Sequence, residues 1–134
     1  MSIIPPNPMN SILISIKKML GIDETYLAFD TDIIININTA LMALQQIGVG
    51  PDDGLMILGT DEEWGDLLTN DKKVEAAKTY IYLKVKLVFD PPTSSFVVES
   101  INKQLDELAW RLMIQTDIPI EDPVVEEEVV LGEF

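Results

Sequence analysis

The sequence predicts an all-α fold, a small helical bundle of about five helices with a C-terminal antiparallel helical hairpin and extended N- and C-terminal arms. Three observations predict it. Apolar residues recur at three- and four-residue steps through most of the chain, the step that lines one side of a helix. Prolines gather at both ends, where they oppose helix: Pro5, Pro6 and Pro8 at the start, Pro119 and Pro123 near the finish. Between the two longest periodic runs stands Pro91-Pro92, a link too short for anything but two helices folded back on each other.

Taken in order, residues 1–10 form an extended arm, because each proline fixes its own φ and biases its predecessor away from helix. The first helix spans 11–20. Asn10 or Ser11 caps it, Ile12, Ile16, Met19 and Leu20 make its apolar stripe, Lys17 and Lys18 suit the negative end of its dipole, and Gly21 closes it in the left-handed conformation. A second helix opens at Asp30 or Thr31 and runs to Gln46 on the stripe Ile33, Ile34, Ile37, Leu41, Leu44 and Ile47. Its β-branched start would also suit a strand, but the stripe continues through Ala40, Leu41, Ala43 and Leu44, which favours helix. Gly48, Gly50, Pro51 and Asp52-Asp53-Gly54 punctuate turns. Leu55 to Leu58 then fit a short strand or an apolar loop.

Thr60 or Asp61 opens a small helix with Glu63 placed for a capping box, its buried side being Trp64, Leu67 and Leu68. Asn70 or Asp71 opens the first arm of the hairpin, with Val74, Ala77, Ile81, Val85 and Val88 as its stripe up to Asp90. Thr93 or Ser94 caps the second arm, which carries the cleanest stripe of the chain, Val97, Ile101, Leu105, Leu108 and Leu112, and ends near Gln115.

Composition narrows the chemistry. The 134 residues suit one domain with one core, 47% of them being hydrophobic. Nine basic residues face 23 acidic ones, a formal charge of -14, which opposes binding to nucleic-acid phosphates. The chain has no His and no Cys, so imidazole-dependent triads, thiolate nucleophiles, disulfides and ordinary zinc sites are all excluded. No apolar run reaches membrane-spanning length and Met1 to Pro6 has no signal-peptide pattern, so a soluble protein made inside the cell, with no membrane partner, is expected.

The acidic clusters do not build a site. Asp52-Asp53-Gly54 lacks the alternating ligands of a calcium loop, Asp61, Glu62 and Glu63 suit the first turn of a helix, and Glu126-Glu127-Glu128 preorganises nothing on an extended chain. No metal and no cofactor is expected. Gly48-Val49-Gly50-Pro51 matches no phosphate-binding loop, and Ser94, Ser95 and Ser100 have no activating partner in any nucleophile motif. No catalytic residue is identified.

Charge is split unevenly. Residues 1–115 carry a net -7, and the last 19 residues carry another -7 with nothing basic. Those 19 also contain Ile118, Ile120, Val124, Val125, Val129, Val130 and Phe134, more β-branched residues than a solvating tail needs, so residues 116–134 read either as a disordered acidic C-terminus or, more sharply, as a docking arm that adds a strand or clasp to a partner. The run from Tyr80 to Phe89 is apolar over more than one face and needs cover on several sides. Tyr82, Leu83, Phe89 and Trp110 are the candidates for contact with a second subunit.

The segment Lys84-Val85-Lys86-Leu87-Val88-Phe89-Asp90-Pro91-Pro92-Thr93, followed by Val97 to Trp110-Arg111-Leu112, resembles the head-to-tail connector (adaptor) proteins of long-tailed bacteriophages. The order of elements is similar too, including a Trp-Gly-Asp-Leu-Leu element at 64–68, and the resemblance covers roughly residues 11–115. It implies a helical, non-enzymatic virion protein of the neck, assembled in the host cytoplasm into a ring, a dodecamer, beneath the portal. Its partners would be further copies of itself, the portal protein bound through the C-terminal arm, a downstream neck or tail-completion protein, and double-stranded DNA that passes without specific binding. Leu55, Met56, Ile57 and Leu58 are candidates for the contact with that next tail component. A ring requires two different faces on each subunit, and an acidic lumen would let DNA slide. A low pI equally suits a small acidic DNA-mimic inhibitor of a DNA-binding enzyme. An acyl-carrier bundle is disfavoured because no Asp-Ser-Leu attachment motif occurs.

Overall fold

The computed structural model describes residues 8–117. Among them are five α-helices: α1 (Ile12–Met19), α2 (Asp30–Gln46), α3 (Trp64–Leu67), α4 (Asp71–Phe89) and α5 (Ser95–Asp117). The all-α expectation holds, with no strand among the described residues and only an isolated bridge between Ser11 and Glu63. Residues 8–10 correct the extended N-terminal arm: Pro8–Asn10 is a turn of 3-10 helix, whose φ proline already satisfies.

The ends of α1 follow from local chemistry. Ser11 caps it, its hydroxyl accepting from the Ile14 N–H. At the other end Gly21 takes φ 81°, which lets the N–H groups of Gly21 and Ile22 reach back to the carbonyls of Lys18 and Lys17. The same closure ends α2, where Gly48 at φ 86° turns the chain so that the Val49 N–H bonds Leu44 O and the Val49 side chain enters the core. At the start of α2 the preceding Phe29 offers no capping side chain; Asp30 and Asp32 in the first turn meet the positive end of the dipole instead.

α3 corrects the expected placement of its cap. Glu63 is itself the cap residue and the reciprocal partner is Asp66, so the box begins later than Thr60 or Asp61 and the helix is a single turn. Asn70 caps α4 by accepting from the N–H groups of Lys72 and Lys73. The Ser94 hydroxyl accepts from Val97 N at the start of α5. That helix continues to Asp117, beyond the expected end at Gln115.

α4 is the central helix, packed along α2 and along α5. Its sequence carries two apolar strips. Ala77, Ile81, Val85 and Phe89 recur every four residues along one side, and Phe89 rests edge-on against Phe29, the residue before α2, with ring centres 5.2 Å apart. Ala76, Tyr80, Leu83 and Leu87 form the other strip, where burial and the charge of Asp106 on α5 raise the Tyr80 hydroxyl. Ile81 and Leu83 are two positions apart, roughly 200° around a helix, so the strips look in nearly opposite directions.

This arrangement corrects the reading of Tyr80 to Phe89. The run is apolar on several sides because two helices of the same chain cover it. Leu83 is accordingly buried in the chain's own core, and Phe89 rather than Val88 continues the Ile81–Val85 stripe, leaving Val88 exposed. From α5 the core receives Ile101, Leu105 and Leu112, whereas Val97, opposite the end of α4 where the hairpin opens, is largely outside it. Leu68, expected on the buried side of α3, is half-buried.

Candidate functional site

Two polar arrangements fix the loops on which surface residues stand. The first is Lys17, which the sequence reading gave only a role at the negative end of the helix dipole and which is 1% exposed. It stands four residues after Leu13 on the buried side of α1, and its ammonium donates to the carbonyls of Glu24 (3.1 Å) and Tyr26 (2.7 Å). Asp30 Oδ1 lies 2.8 Å from the same nitrogen. That oxygen is buried and meets no hydrogen-bond angle, so the contact is an ion pair made by proximity. One cation thereby gathers the whole 22–30 connection. Within it, the Asp23 carboxylate accepts from both the hydroxyl and the N–H of Thr25, which hold it below the ordinary aspartate range.

The second arrangement settles Leu55 to Leu58, for which the sequence left strand and loop open. The segment is a loop that borrows strand-like pairing from a side chain: Asn38 on α2 donates to Ile57 O and accepts from Ile57 N, at 3.0 and 2.8 Å. Ile57 is thereby fully buried while its neighbours Met56 and Leu58 point outward, Leu58 at 81% exposure. The Glu62 carboxylate accepts from the N–H groups of Leu58 and Gly59 and closes the turn. Leu55 is half-buried, so of the four residues expected to meet a further tail component, Met56 and Leu58 present free apolar surface.

The candidates for contact with a second subunit divide in the same way. Leu83 is buried within the chain, Tyr82 is half-buried against the core, Phe89 is half-buried beside Phe29, and Trp110 is 59% exposed on α5. Ile118, Ile120, Val124, Val125, Val129, Val130 and Phe134 of the arm lie outside the described residues.

Sequence reasoning named Trp110 as a contact residue but missed the exposed apolar residues of α2. On α2, Ile35 and Met42 are seven residues apart and face away from the buried stripe. On α5, Phe96 at 74% exposure and Trp110 stand fourteen apart on the side opposite Ile101, Leu105 and Leu112. The signal was present: a seven-residue step returns nearly to the same helix face, and each of these residues falls half a turn from its stripe. Near the hairpin end, Phe29, Ile35, Val88 and Phe89 line a cleft of about 430 Å³ with Asp32 and Asn36, and Tyr26 meets the outer edge of Phe29 with ring centres 5.5 Å apart.

A larger cleft of about 640 Å³ at the other end is lined by Trp64, Leu68, Val74 and Lys78. Its charged groups serve the fold. Lys78 lies over the Trp64 ring and pairs with Glu75, and Glu63 belongs to the α3 cap. Among the described residues no three acidic side chains come together as metal ligands, and no described helix is long and apolar enough to cross a membrane.

The described surface thus carries exposed apolar residues on α2 and α5, and a loop held so that Met56 and Leu58 face outward. No curated protein and no solved structure matches the chain. A family model described as phage connector protein matches residues 12–119, from the first turn of α1 past the end of α5. A match over that much of the sequence shows that the chain belongs to the phage connector protein family, structural proteins of bacteriophages.

Proposed function

We propose that this protein is the repeating subunit of a dodecameric ring in the phage neck, seated beneath the portal, joining head to tail and lining the passage for the genome. The observation that carries the reading is the pair of exposed apolar faces on α2 and α5. A cyclic assembly joins two different faces of each subunit, and these two are separated by the central helix. In this arrangement the acidic arm, residues 116–134, leaves the bundle and docks on the portal, its Ile and Val residues supplying the contact and its carboxylates keeping it soluble beforehand. Met56 and Leu58 meet the next neck or tail-completion protein.

The formal charge of -14 bears on the passing DNA. Carboxylates facing the lumen repel the phosphate backbone, so the duplex slides without a binding step. Assembly takes place in the host cytoplasm, and no enzymatic step is required of the chain.

Negative-stain imaging of the full-length protein, alone and mixed with portal, tests the reading. Rings of about twelve subunits are expected. Particles no larger than one or two subunits in both samples would overturn it, and competition with DNA for an enzyme would favour the DNA-mimic alternative.

A further inference from the structure

We infer that subunits of this protein join through one specific contact, in which Phe96 of one copy enters the cleft between Phe29, Ile35, Val88 and Phe89 of the next. This deepens the ring reading above and rests on it. The occupant follows from the shape, position and chemistry of the two surfaces.

Phe96 sits in the first turn of α5, exposed, with its side chain on the face turned away from α4. It is a protruding benzyl group with no cover within its own chain. The cleft is its counterpart, an open hollow of about 430 Å³ walled by two aromatic rings and two branched aliphatic side chains, with Asp32 and Asn36 completing its lining. Phe29 already packs edge-on against Phe89, so an incoming phenyl group finds an aromatic wall prepared for the same geometry. The cleft's rim is also held in place: Phe29 directly precedes Asp30, which the buried Lys17 ammonium anchors.

The two surfaces stand at the same height on the molecule. α4 ends at Phe89 and α5 begins at Ser95, and the five-residue link folds the two helices back on each other, so Phe96 in the first turn of α5 stands at the same end as the last turn of α4. Val88 and Phe89, which wall the cleft, are at that same end. The cleft opens on the α2 side of α4 and Phe96 on the outer side of α5, so no copy can satisfy its own pair. A neighbour placed laterally does so without rising or falling along the helix axis. Contacts between different faces at equal height are what a flat ring needs, closure then depending on the rotation between neighbours, whereas a vertical offset would generate a helical filament.

Trp110 lies fourteen residues along α5 from Phe96, about 21 Å down the same face. It would then fall beside the lower part of the neighbour's wall, extending the contact beyond a single anchor.

The native chain has no cysteine, so engineered thiols are the sole ones present. Three full-length variants that keep Phe96 test the contact: Ser100→Cys, one turn along α5 on the same face, Val88→Cys on the cleft wall, and the double variant. Both positions are exposed, and circular dichroism equal to that of the parent protein checks that each is folded. Under mild oxidation the double variant should give a ladder of covalent oligomers on a denaturing gel. An equimolar mixture of the two single variants should give a covalent dimer, and each single variant alone should give none. Oligomers seen by mass photometry without the Ser100–Val88 cross-link would overturn this interface while leaving the ring intact. Dimers from either single variant alone would show a two-fold contact and overturn it as well. Absence of oligomers of any size, with and without portal, would overturn the ring itself.

Discussion

Lys17 and Asp30 form a buried ion pair, 2.8 Å apart, between the end of α1 and the start of α2. The pair spans a connection that has little apolar core of its own, and the same ammonium holds two carbonyls of that connection. Removing one partner strands the other charge in a poorly solvated place. Lys17→Met keeps the aliphatic stem and isolates Asp30, and it should cost about 3 kcal/mol, the lower part of the range for breaking a buried pair, because Asp30 retains some access to water. Urea denaturation followed by circular dichroism measures the loss. Unchanged stability would show that water replaces the ammonium without penalty.

Trp64 and Ser15 couple the short helix to α1. The indole Nε1–H donates to the Ser15 hydroxyl at 2.8 Å, and that hydroxyl donates onward to the carbonyl of Ser11. Ser15→Ala leaves a buried indole N–H unpaired and should destabilise by about 1–3 kcal/mol. Once Trp64 is replaced by Phe, the same Ser15→Ala change should cost less, since the donor is gone; a double-mutant cycle reads the difference.

Asn38→Ala should loosen the 55–58 loop selectively. The side chain satisfies both backbone polar groups of Ile57, so its loss removes two hydrogen bonds, worth about 1 kcal/mol each. Hydrogen exchange at the Ile57 amide should accelerate far more than exchange in α4. Equal acceleration everywhere would mean that the substitution acts through global stability instead.

Tyr80 gives the fold an alkaline limit. Burial, assisted by the Asp106 carboxylate, raises its hydroxyl above the usual tyrosine value of 10.0. The unfolded chain therefore loses this proton at lower pH than the folded one, so the contribution is complete below pH ~10 and declines as pH rises through the folded value. Denaturation midpoints measured from pH 8 upward should fall less steeply in Tyr80→Phe than in the parent chain.

Deleting residues 117–134 should abolish portal binding while leaving the helical circular dichroism signal largely intact, because the described core draws on residues up to Leu112. Pull-down with portal and a far-ultraviolet spectrum make the comparison. Retained binding would remove the arm from the contact.

Much of the fold is legible in local signals. Apolar stripes located the four longer helices, Ser11, Asn70, Gly21 and Gly48 marked ends that geometry enforces, and Pro91-Pro92 announced the hairpin. These signals act within a turn or two of chain, so they survive without knowledge of neighbours. Val88 failed for the converse reason: both Val88 and Phe89 extend the stripe acceptably, and only the position of Phe29 across the bundle selects Phe89. Glu63 was assigned the wrong end of a capping box because several acids in succession can each play either part.

The functional surfaces were less legible. Apolar character marked Leu55 to Leu58, but the outward direction of Met56 and Leu58 depends on Asn38, nineteen residues away from Ile57. Leu83 was expected at a subunit contact because the sequence shows that α4 is apolar on several sides without showing what covers them.

The sequence by itself determined the helices, their turns, the absence of imidazole and thiol chemistry and the acidic balance, all properties of composition and short-range spacing. Tertiary structure decided that α2 and α5 would cover α4 from two sides, that Lys17 would be an interior cation and that Phe96 and the Phe29–Phe89 cleft would remain open at one level. The physical reason is that burial belongs to pairs of surfaces. A stripe states that a side chain needs cover, and only the packed chain shows which cover is already supplied and which is left for another molecule.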